Sequence, residues 1–177
     1  MPDENLPEAK AILNPKQPNC FYPFKGLCGG AVVFKLIQAV SQLLELDDDL
    51  VHQYIDLITL GTAADIVPLT DENRIIVKHG LKSLSKTKSP GLRALLEVSG
   101  LGEKELTIGR LLFWAAPRIN AAGRLGDANR AVQLMTTENL PESLKLAREL
   151  DEENRQRQDL QQSMVDEAIM KVNAEVD

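Results

Sequence analysis

The sequence is poor in several residue types, and each shortage excludes a class of protein. Among its 177 residues there are two cysteines, Cys20 and Cys28, which are too few for a disulfide scaffold. The two histidines, His52 and His79, stand apart and form no zinc motif with the cysteines. His52 falls outside the apolar stripe of its helix and is expected at the surface, and His79 is expected at the surface or at its boundary. This pattern favours a reducing, cytoplasmic setting.

Positive charge and long apolar runs are also lacking. The formal net charge is -6 at pH 7, so the chain is not expected to bind nucleic acid by overall charge alone. No secretory leader and no apolar run of bilayer length is present, so no membrane contact is expected. A hydrophobic content of 44% is enough for a packed core. Because both ends look cut, we expect a piece of a larger protein.

Apolar periodicity predicts a mainly α-helical chain, with one short strand at residues 11–13. The first long helix follows Cys28-Gly-Gly30 and is predicted to be largely buried through Val33, Leu36, Ile37, Val40 and Leu44. Ser89-Pro90 and Thr107 each predict the start of a further helix, and Pro117 predicts the end of the second one.

The last predicted helix is long, beginning at the capping pair Asn139 and Glu142. With roughly 35 residues it would extend about 50 Å, too long to lie on so small a core. Its apolar stripe is interrupted by a wholly polar run at residues 151–159. We therefore expect it to lead to another part of the protein or to pair with a second copy.

Asp65 is the first candidate functional residue. It follows the small residues Gly61, Thr62, Ala63 and Ala64 at the end of an apolar helix, where a ligand or another backbone could approach closely. Such a carboxylate either has a buried partner or holds a metal ion. One carboxylate alone cannot form a catalytic site.

The second candidate is the segment Pro117–Leu125, which interleaves Arg118, Asn120 and Arg124 with small residues. Two guanidinium groups beside a small-residue backbone predict a phosphate-binding loop, because their forked donors match phosphate oxygens. The alternative is that both arginines pair with surface carboxylates. Residue spacing alone favours neither interpretation.

Five segments, in this order, resemble the RecJ single-stranded-DNA exonucleases of the DHH phosphoesterase superfamily. They are Ala11–Pro15, Tyr22–Gly30, Leu60–Leu69 with Glu72–Arg74, Pro117–Arg124 and Glu149–Arg157. The resemblance implies a 5′-to-3′ exonuclease that hydrolyses single-stranded DNA with Mn²⁺ or Mg²⁺ in recombination and repair. It also implies that Asp65 is a metal ligand and that Arg124, and less directly Arg118 and Asn120, contact the DNA phosphate.

The family motifs rich in aspartate, including the Asp-His-His that names the superfamily, are missing from this chain. Two-metal hydrolysis needs several such ligands, so no catalytic site is expected to be complete here and the isolated chain is expected to be inactive. The implied division is residues 1–138 as the C-terminal helical part of an α/β catalytic domain, and residues 139–177 as the helix leading toward a further domain.

Two other functions fit parts of the sequence. One keeps the superfamily but acts on small nucleotides or pyrophosphate, although Tyr22–Phe24 and Pro117–Arg124 favour the RecJ-like exonucleases. The other is a non-catalytic helical module that self-associates through the apolar stripe of its last helix.

Overall fold

The computed structural model describes residues 8–47, 49–125 and 127–176, without the side chains of residues 124, 125, 175 and 176. Its α-helices are α1 (Gly29–Leu43), α2 (Asp49–His52), α3 (Ile55–Ala64), α4 (Asp71–Leu84), α5 (Pro90–Val98), α6 (Ile108–Arg110), α7 (Ala116–Leu125), α8 (Asn129–Thr136) and α9 (Leu140–Val176), with a π-helical turn at Leu111–Ala115.

The prediction of a mainly helical chain is confirmed, whereas the strand predicted at residues 11–13 is wrong. None of the described residues is in a strand. A lone extended segment has no neighbour with which to share its backbone groups. Here Gln17 Nε2 donates instead to the Ile12 carbonyl at 3.0 Å.

The chain divides into two compact units, the first comprising residues 1–87 and 106–112 and the second residues 88–105 and 113–177. In unit one, α3 packs against α4 and α1 packs against α2 and α3. Gly80 of α4 makes the close packing possible, since a Cβ there would lie 2.7 Å from the Ile55 carbonyl oxygen. The core of this unit comprises Leu27, Cys28, Ala31, Phe34, Val51, Ile58 and Ile76.

The prediction that α1 is largely buried is only half right, because one apolar side of the helix is buried and the other is exposed. Ala31 and Phe34 face the core, but four apolar residues on another side are exposed. We call these residues the outer stripe, namely Val33, Leu36, Val40 and Leu43, with exposed fractions of 54%, 49%, 44% and 82%. Leu44 is exposed as well, and only Ile37 of the predicted set is half-buried against the core. Apolar residues occur on both sides of α1, which led to the prediction of burial. Among the described residues, only one of these sides has anything packed against it.

Unit two is built from α5, α7, α8 and α9, which pack on one another. The predicted start of α5 is confirmed, because Ser89 Oγ accepts from the Leu92 amide at 3.3 Å. Gly100 follows its end with φ of 67°, a left-handed conformation that suits glycine. Thr107 begins α6 as predicted, with its Oγ1 accepting from the Arg110 amide at 3.2 Å.

The prediction that Pro117 ends a helix is wrong. The prediction of a loop at Pro117–Leu125 is therefore wrong as well, because the backbone of this segment is helical. The segment lies in α7, with Pro117 in its first turn, where a missing N–H is tolerated. The π-helical turn Leu111–Ala115 comes directly before it. A π turn widens the helix and relieves the clash between the proline ring and the preceding turn, so the chain remains helical.

The long final helix is confirmed: α9 contains 37 residues. Its buried positions fall in the first half, where Leu146, Ala147 and Leu150 join the core of unit two. Every residue from 158 to 174 is exposed. Even this helix is not apolar enough to cross a bilayer, and the same holds for the other helices among the described residues.

Candidate metal and phosphate site

Asp65 caps the C-terminal end of α3, and its side chain is exposed. No hydrogen bond or ion pair of its carboxylate is found among the described residues. The C-terminus of a helix carries partial negative charge, so a carboxylate at this position opposes the helix dipole. A cation would be attracted to both groups. The position therefore suits a metal ligand better than it suits a residue that stabilises the fold.

The turn after Asp65 is strained. Ile66 has φ of 52°, in the left-handed region that a β-branched residue rarely adopts, and its side chain is 72% exposed. Its amide donates to the Ala63 carbonyl at 3.3 Å, which closes the end of α3. No apolar burial of Ile66 compensates for the strain, while the next residue, Val67, packs against the core of unit one.

Ile66→Gly should therefore raise the free energy of unfolding. The left-handed conformation costs an L-residue about 1–2 kcal/mol, and the added backbone entropy of glycine offsets part of this, leaving a gain of about 0.5–1 kcal/mol. Urea denaturation of the two chains measures the difference. Val67→Gly is the matched control and should lower stability because it removes a packed side chain. A loss of stability in Ile66→Gly would refute the account of strain.

The buried side chain of Asn73 holds the end of the Asp65 turn in place through hydrogen bonds. Its side chain is fully buried, and Nδ2 donates to the carbonyls of Gly26 at 2.7 Å and Pro68 at 2.9 Å. One amide group thus joins two of the family-like segments, Tyr22–Gly30 and Leu60–Leu69 with Glu72–Arg74. Inside α3, three residues before Asp65, Thr62 Oγ1 lies 3.5 Å from Cys28 Sγ.

Glu72 of α4 links Tyr22 and α1 through its two carboxylate oxygens. Tyr22 donates its hydroxyl to Oε2 at 2.6 Å, and Lys35 Nζ lies 2.5 Å from Oε1. Burial and the hydrogen bond to Glu72 raise the pKa of Tyr22 to about 12. Burial alone would raise the pKa of Glu72, but the bonds from Lys35 and Tyr22 outweigh it and lower that pKa.

These pKa shifts give Tyr22→Phe a distinctive pH dependence. Because the folded protein holds the Tyr22 proton more tightly, its contribution is fully present below the ordinary pKa of 10.0 and is lost as pH rises through about 12. Tyr22→Phe should cost about 1 kcal/mol near neutral pH, as expected for one hydrogen bond. The difference in unfolding free energy between the two chains should shrink over that alkaline range. A constant difference would contradict this account. Glu72, whose pKa is lowered, instead loses its contribution as the solution becomes acidic.

Arg118 lies in unit two and is held by a carboxylate. Its Nε donates to Asp151 Oδ1 at 2.8 Å, and the two side chains are only 16% and 12% exposed. The guanidinium also donates to the Trp114 carbonyl and, at 3.4 Å, to the Val98 carbonyl. This is the pairing with carboxylate that the sequence left open as an alternative. Asn120 is exposed on the same helix, and the side chain of Arg124 lies outside the described residues.

The polar run at residues 151–159 contains buried partners that sequence reasoning missed. Asp151 and Asn154 are buried, and Asp151 Oδ2 also lies 2.9 Å from an Arg155 nitrogen. Arg130 of α8 reaches Glu153 at 2.5 Å. The sequence signal for these buried groups was the interruption of the apolar stripe, together with arginines elsewhere in the chain that could pair with its carboxylates. The segments Pro117–Arg124 and Glu149–Arg157 thus meet in unit two, and the segments Tyr22–Gly30 and Leu60–Leu69 with Glu72–Arg74 meet in unit one.

A complete metal site is not formed by the described residues, which contain no group of three or more His, Cys, Asp or Glu side chains arranged to hold an ion. Asp65 fits a metal as one free oxygen ligand, and further ligands would have to come from elsewhere. Both histidines are exposed, as predicted. They line a cavity of about 460 Å³ in unit one, and Asp65 is not part of its lining.

No family model matches the chain. Among curated proteins it is 47% identical, over 95% of its length, to the single-stranded-DNA-specific exonuclease RecJ of Bacillus subtilis, and 38% identical, over 96%, to that of Escherichia coli. Among solved structures it matches RecJ of Thermus thermophilus in complex with Mn²⁺, with a TM-score of 0.81 and 34% identity over 94% of this chain.

The matched region is a small share of each relative. The chain spans 21% of the Bacillus subtilis protein, 31% of the Escherichia coli protein and 24% of the Thermus thermophilus structure. A second structure of the Thermus protein, in complex with Mg²⁺, matches 77% of this chain with a TM-score of 0.70 and 38% identity. The chain is therefore homologous to one segment of the RecJ single-stranded-DNA-specific exonucleases.

Proposed function

We propose that this chain is one part of a metal-dependent exonuclease that hydrolyses single-stranded DNA from its 5′ end in recombination and repair in the cytoplasm. The observation that carries the proposal is the carboxylate of Asp65, which has no partner among the described residues and lies at the negative end of α3 in a homologue of RecJ. Asp65 supplies one ligand for Mn²⁺ or Mg²⁺. Residues 1–138 belong to the catalytic domain, and residues 139–177 connect it to a further domain.

The exposed outer stripe of α1 supports the idea that further protein packs against this chain. A helix with apolar residues on opposite sides is normally covered on both. The described residues cover only the side with Ala31 and Phe34. Relatives three to five times longer, as the matched shares of 21% to 31% imply, have ample chain for this purpose.

The α7 helix supplies the proposed contacts to DNA phosphate. Arg118, Asn120 and Arg124 all lie on it, in unit two. For Arg118 the contact requires phosphate to take the place of Asp151 or to share the guanidinium with it, since each of its three nitrogens already donates to another group. Arg124 therefore carries the main role in the proposal.

A hybrid protein tests the function, with this chain replacing the matching segment of the Bacillus subtilis relative. The hybrid protein should release nucleotides from single-stranded DNA when Mn²⁺ is added, and the 177-residue chain alone should release none. Mn²⁺-dependent release by the purified chain alone would contradict the proposal that its metal ligands are incomplete. Cleavage of dinucleotides by a hybrid protein that leaves longer strands intact would favour the small-nucleotide phosphodiesterase instead.

A non-catalytic association module is the second candidate, favoured by the exposed apolar residues of the second half of α9. These residues are Leu160, Met164, Val165, Ile169, Met170 and Val172. Light scattering over a range of protein concentrations tests it. A monomer at every concentration would remove this candidate, whereas a dimer abolished by Met164→Glu would support it.

A further inference from the structure

One stretch of this acidic chain carries only positive charge. Residues 74–96 contain Arg74, Lys78, Lys82, Lys86, Lys88 and Arg93 and no aspartate or glutamate, although the whole chain has a net charge of -6. Three of these residues recur every fourth position on α4, and all three side chains are exposed. We call Arg74, Lys78 and Lys82 the basic row.

The basic row has no carboxylate partners among the described residues. The ion pairs among these residues involve other cations, and none of the three side chains forms a hydrogen bond or ring contact with them. On α9, by contrast, Lys145, Arg155 and Lys171 each face an acid four residues away. The positions four residues from Lys78 hold only further basic residues, Arg74 and Lys82.

Helix stabilisation explains only part of this row. A cation near the C-terminus of a helix interacts favourably with the helix dipole, and Lys82 lies in the last turn. Arg74 is the fourth and Lys78 the eighth of the 14 residues of α4, and at these positions that effect is unfavourable or absent. Three like charges at four-residue spacing also repel one another and destabilise the helix slightly. An external anion would offset this repulsion.

The row begins beside the Asp65 turn. Asn73, which precedes Arg74, binds the carbonyl of Pro68 at 2.9 Å, and Pro68 comes three residues after Asp65. From there the basic side chains are spaced by about 6 Å along the helix axis, given a rise of about 1.5 Å per residue. This spacing exceeds the rise of about 3.4 Å per nucleotide in a stacked strand and suits a strand drawn out from its stacked form.

We propose that the basic row holds the phosphate backbone of single-stranded DNA beside the Asp65 turn. The proposal rests on the proposed function, because the homology to single-stranded-DNA exonucleases selects this polyanion. Lys78 and Lys82 contact phosphates without reading sequence. Arg74, nearest the turn, contacts the phosphate closest to the metal position.

Salt dependence of binding tests the proposal in the 177-residue chain. Its affinity for a fluorescently labelled oligothymidylate is measured by anisotropy in EDTA over a range of salt concentrations. Lys78→Gln with Lys82→Gln should lower the slope of log affinity against log salt by about 1.4, since each phosphate contact to a single strand contributes about 0.7. Lys10→Gln with Lys16→Gln is the matched control, removing the same charge from exposed positions in the same unit.

Equal slopes for the two double variants, or no binding of the oligonucleotide by the unaltered chain at low salt, would overturn the proposal. The hybrid protein separates this result from the function itself. If it degrades single strands but Lys78→Gln with Lys82→Gln leaves its KM unchanged at every salt concentration, the basic row is refuted and the exonuclease stands. If it is inactive while the chain shows the expected loss of slope, the row stands and the exonuclease function fails.

Discussion

Asp65→Ala in the hybrid protein should lower the rate of nucleotide release from single-stranded DNA by about 10³-fold or more. A metal ion contributes several kcal/mol to stabilising charge in the transition state, and about 4 kcal/mol corresponds to a thousandfold. The carboxylate is exposed, has no partner among the described residues and lies at the negative end of α3, so its removal takes nothing from the core. The rate is measured with saturating Mn²⁺ and with the unaltered hybrid protein in parallel.

The fold should tolerate this change. In the 177-residue chain, Asp65→Ala should leave the free energy of unfolding unchanged or raise it by about 0.3–1 kcal/mol, because a charge that opposes the helix dipole is removed. A hybrid protein that keeps its activity after Asp65→Ala would exclude Asp65 as a metal ligand. Loss of activity together with unfolding would assign Asp65 to the fold instead.

Gly91→Ala should destabilise the chain by about 3 kcal/mol or more, the largest effect on stability that we expect from a single methyl group. Gly91 lies in the first turn of α5, and a Cβ there would come within 1.8 Å of the Leu134 carbonyl oxygen of α8. The obstacle is backbone, so it cannot rotate away. To admit the methyl group, α5 and α8 must separate, which exposes the fully buried Leu134 and Leu95.

Gly61→Ala is the matched control for this prediction. Gly61 lies inside α3, and apart from its chain neighbours and the nearby backbone of its own helix, no atom of the described residues lies within 4 Å of a Cβ built on it. Alanine is the better helix former, so this change should stabilise the chain by about 0.5–1 kcal/mol. Thermal and urea denaturation of both variants and of the unaltered chain measure these differences in stability. Equal stability of Gly91→Ala and the unaltered chain would show that α5 and α8 do not approach as closely as the structure indicates.

The sequence predicts the helices best where side chains act locally. Ser89, Thr107 and Asn139 were identified as helix starts because a short polar side chain can satisfy a free amide in the first turn. The bonds to Leu92, Arg110 and Glu142 confirm this, at 3.3, 3.2 and 3.2 Å. Each of these signals depends only on residues within one turn, so no tertiary information is needed.

The same local logic fails at Pro117, because the accommodating feature lies one turn earlier. Proline usually ends a helix, yet the π-helical turn Leu111–Ala115 makes room for it. Nothing in the composition of that turn distinguishes it from an ordinary helical segment. The phosphate-binding loop was therefore predicted from residue types in a segment whose backbone is helical.

Burial on α1 and α9 depends on partners that are distant in sequence. Asp151 is buried because Arg118, 33 residues earlier, binds it, which a polar run alone does not reveal. Val33 and Leu36 are exposed because the described residues cover only the other side of α1. Periodicity tells which side is apolar but not whether anything packs there. The role of Asp65 was likewise suggested by family resemblance, while its exposure and lack of a partner among the described residues needed the structure.

The most direct test is calorimetric titration of Mn²⁺ into the 177-residue chain, the hybrid protein, and the Asp65→Ala variant of each. If Asp65 supplies one ligand of a site whose other ligands lie outside this chain, the two versions of the chain should show the same weak uptake. The hybrid protein should bind Mn²⁺ tightly, and its Asp65→Ala variant should bind much more weakly. Tight, Asp65-dependent binding by the chain alone, or identical binding by the two hybrid proteins, would contradict this account.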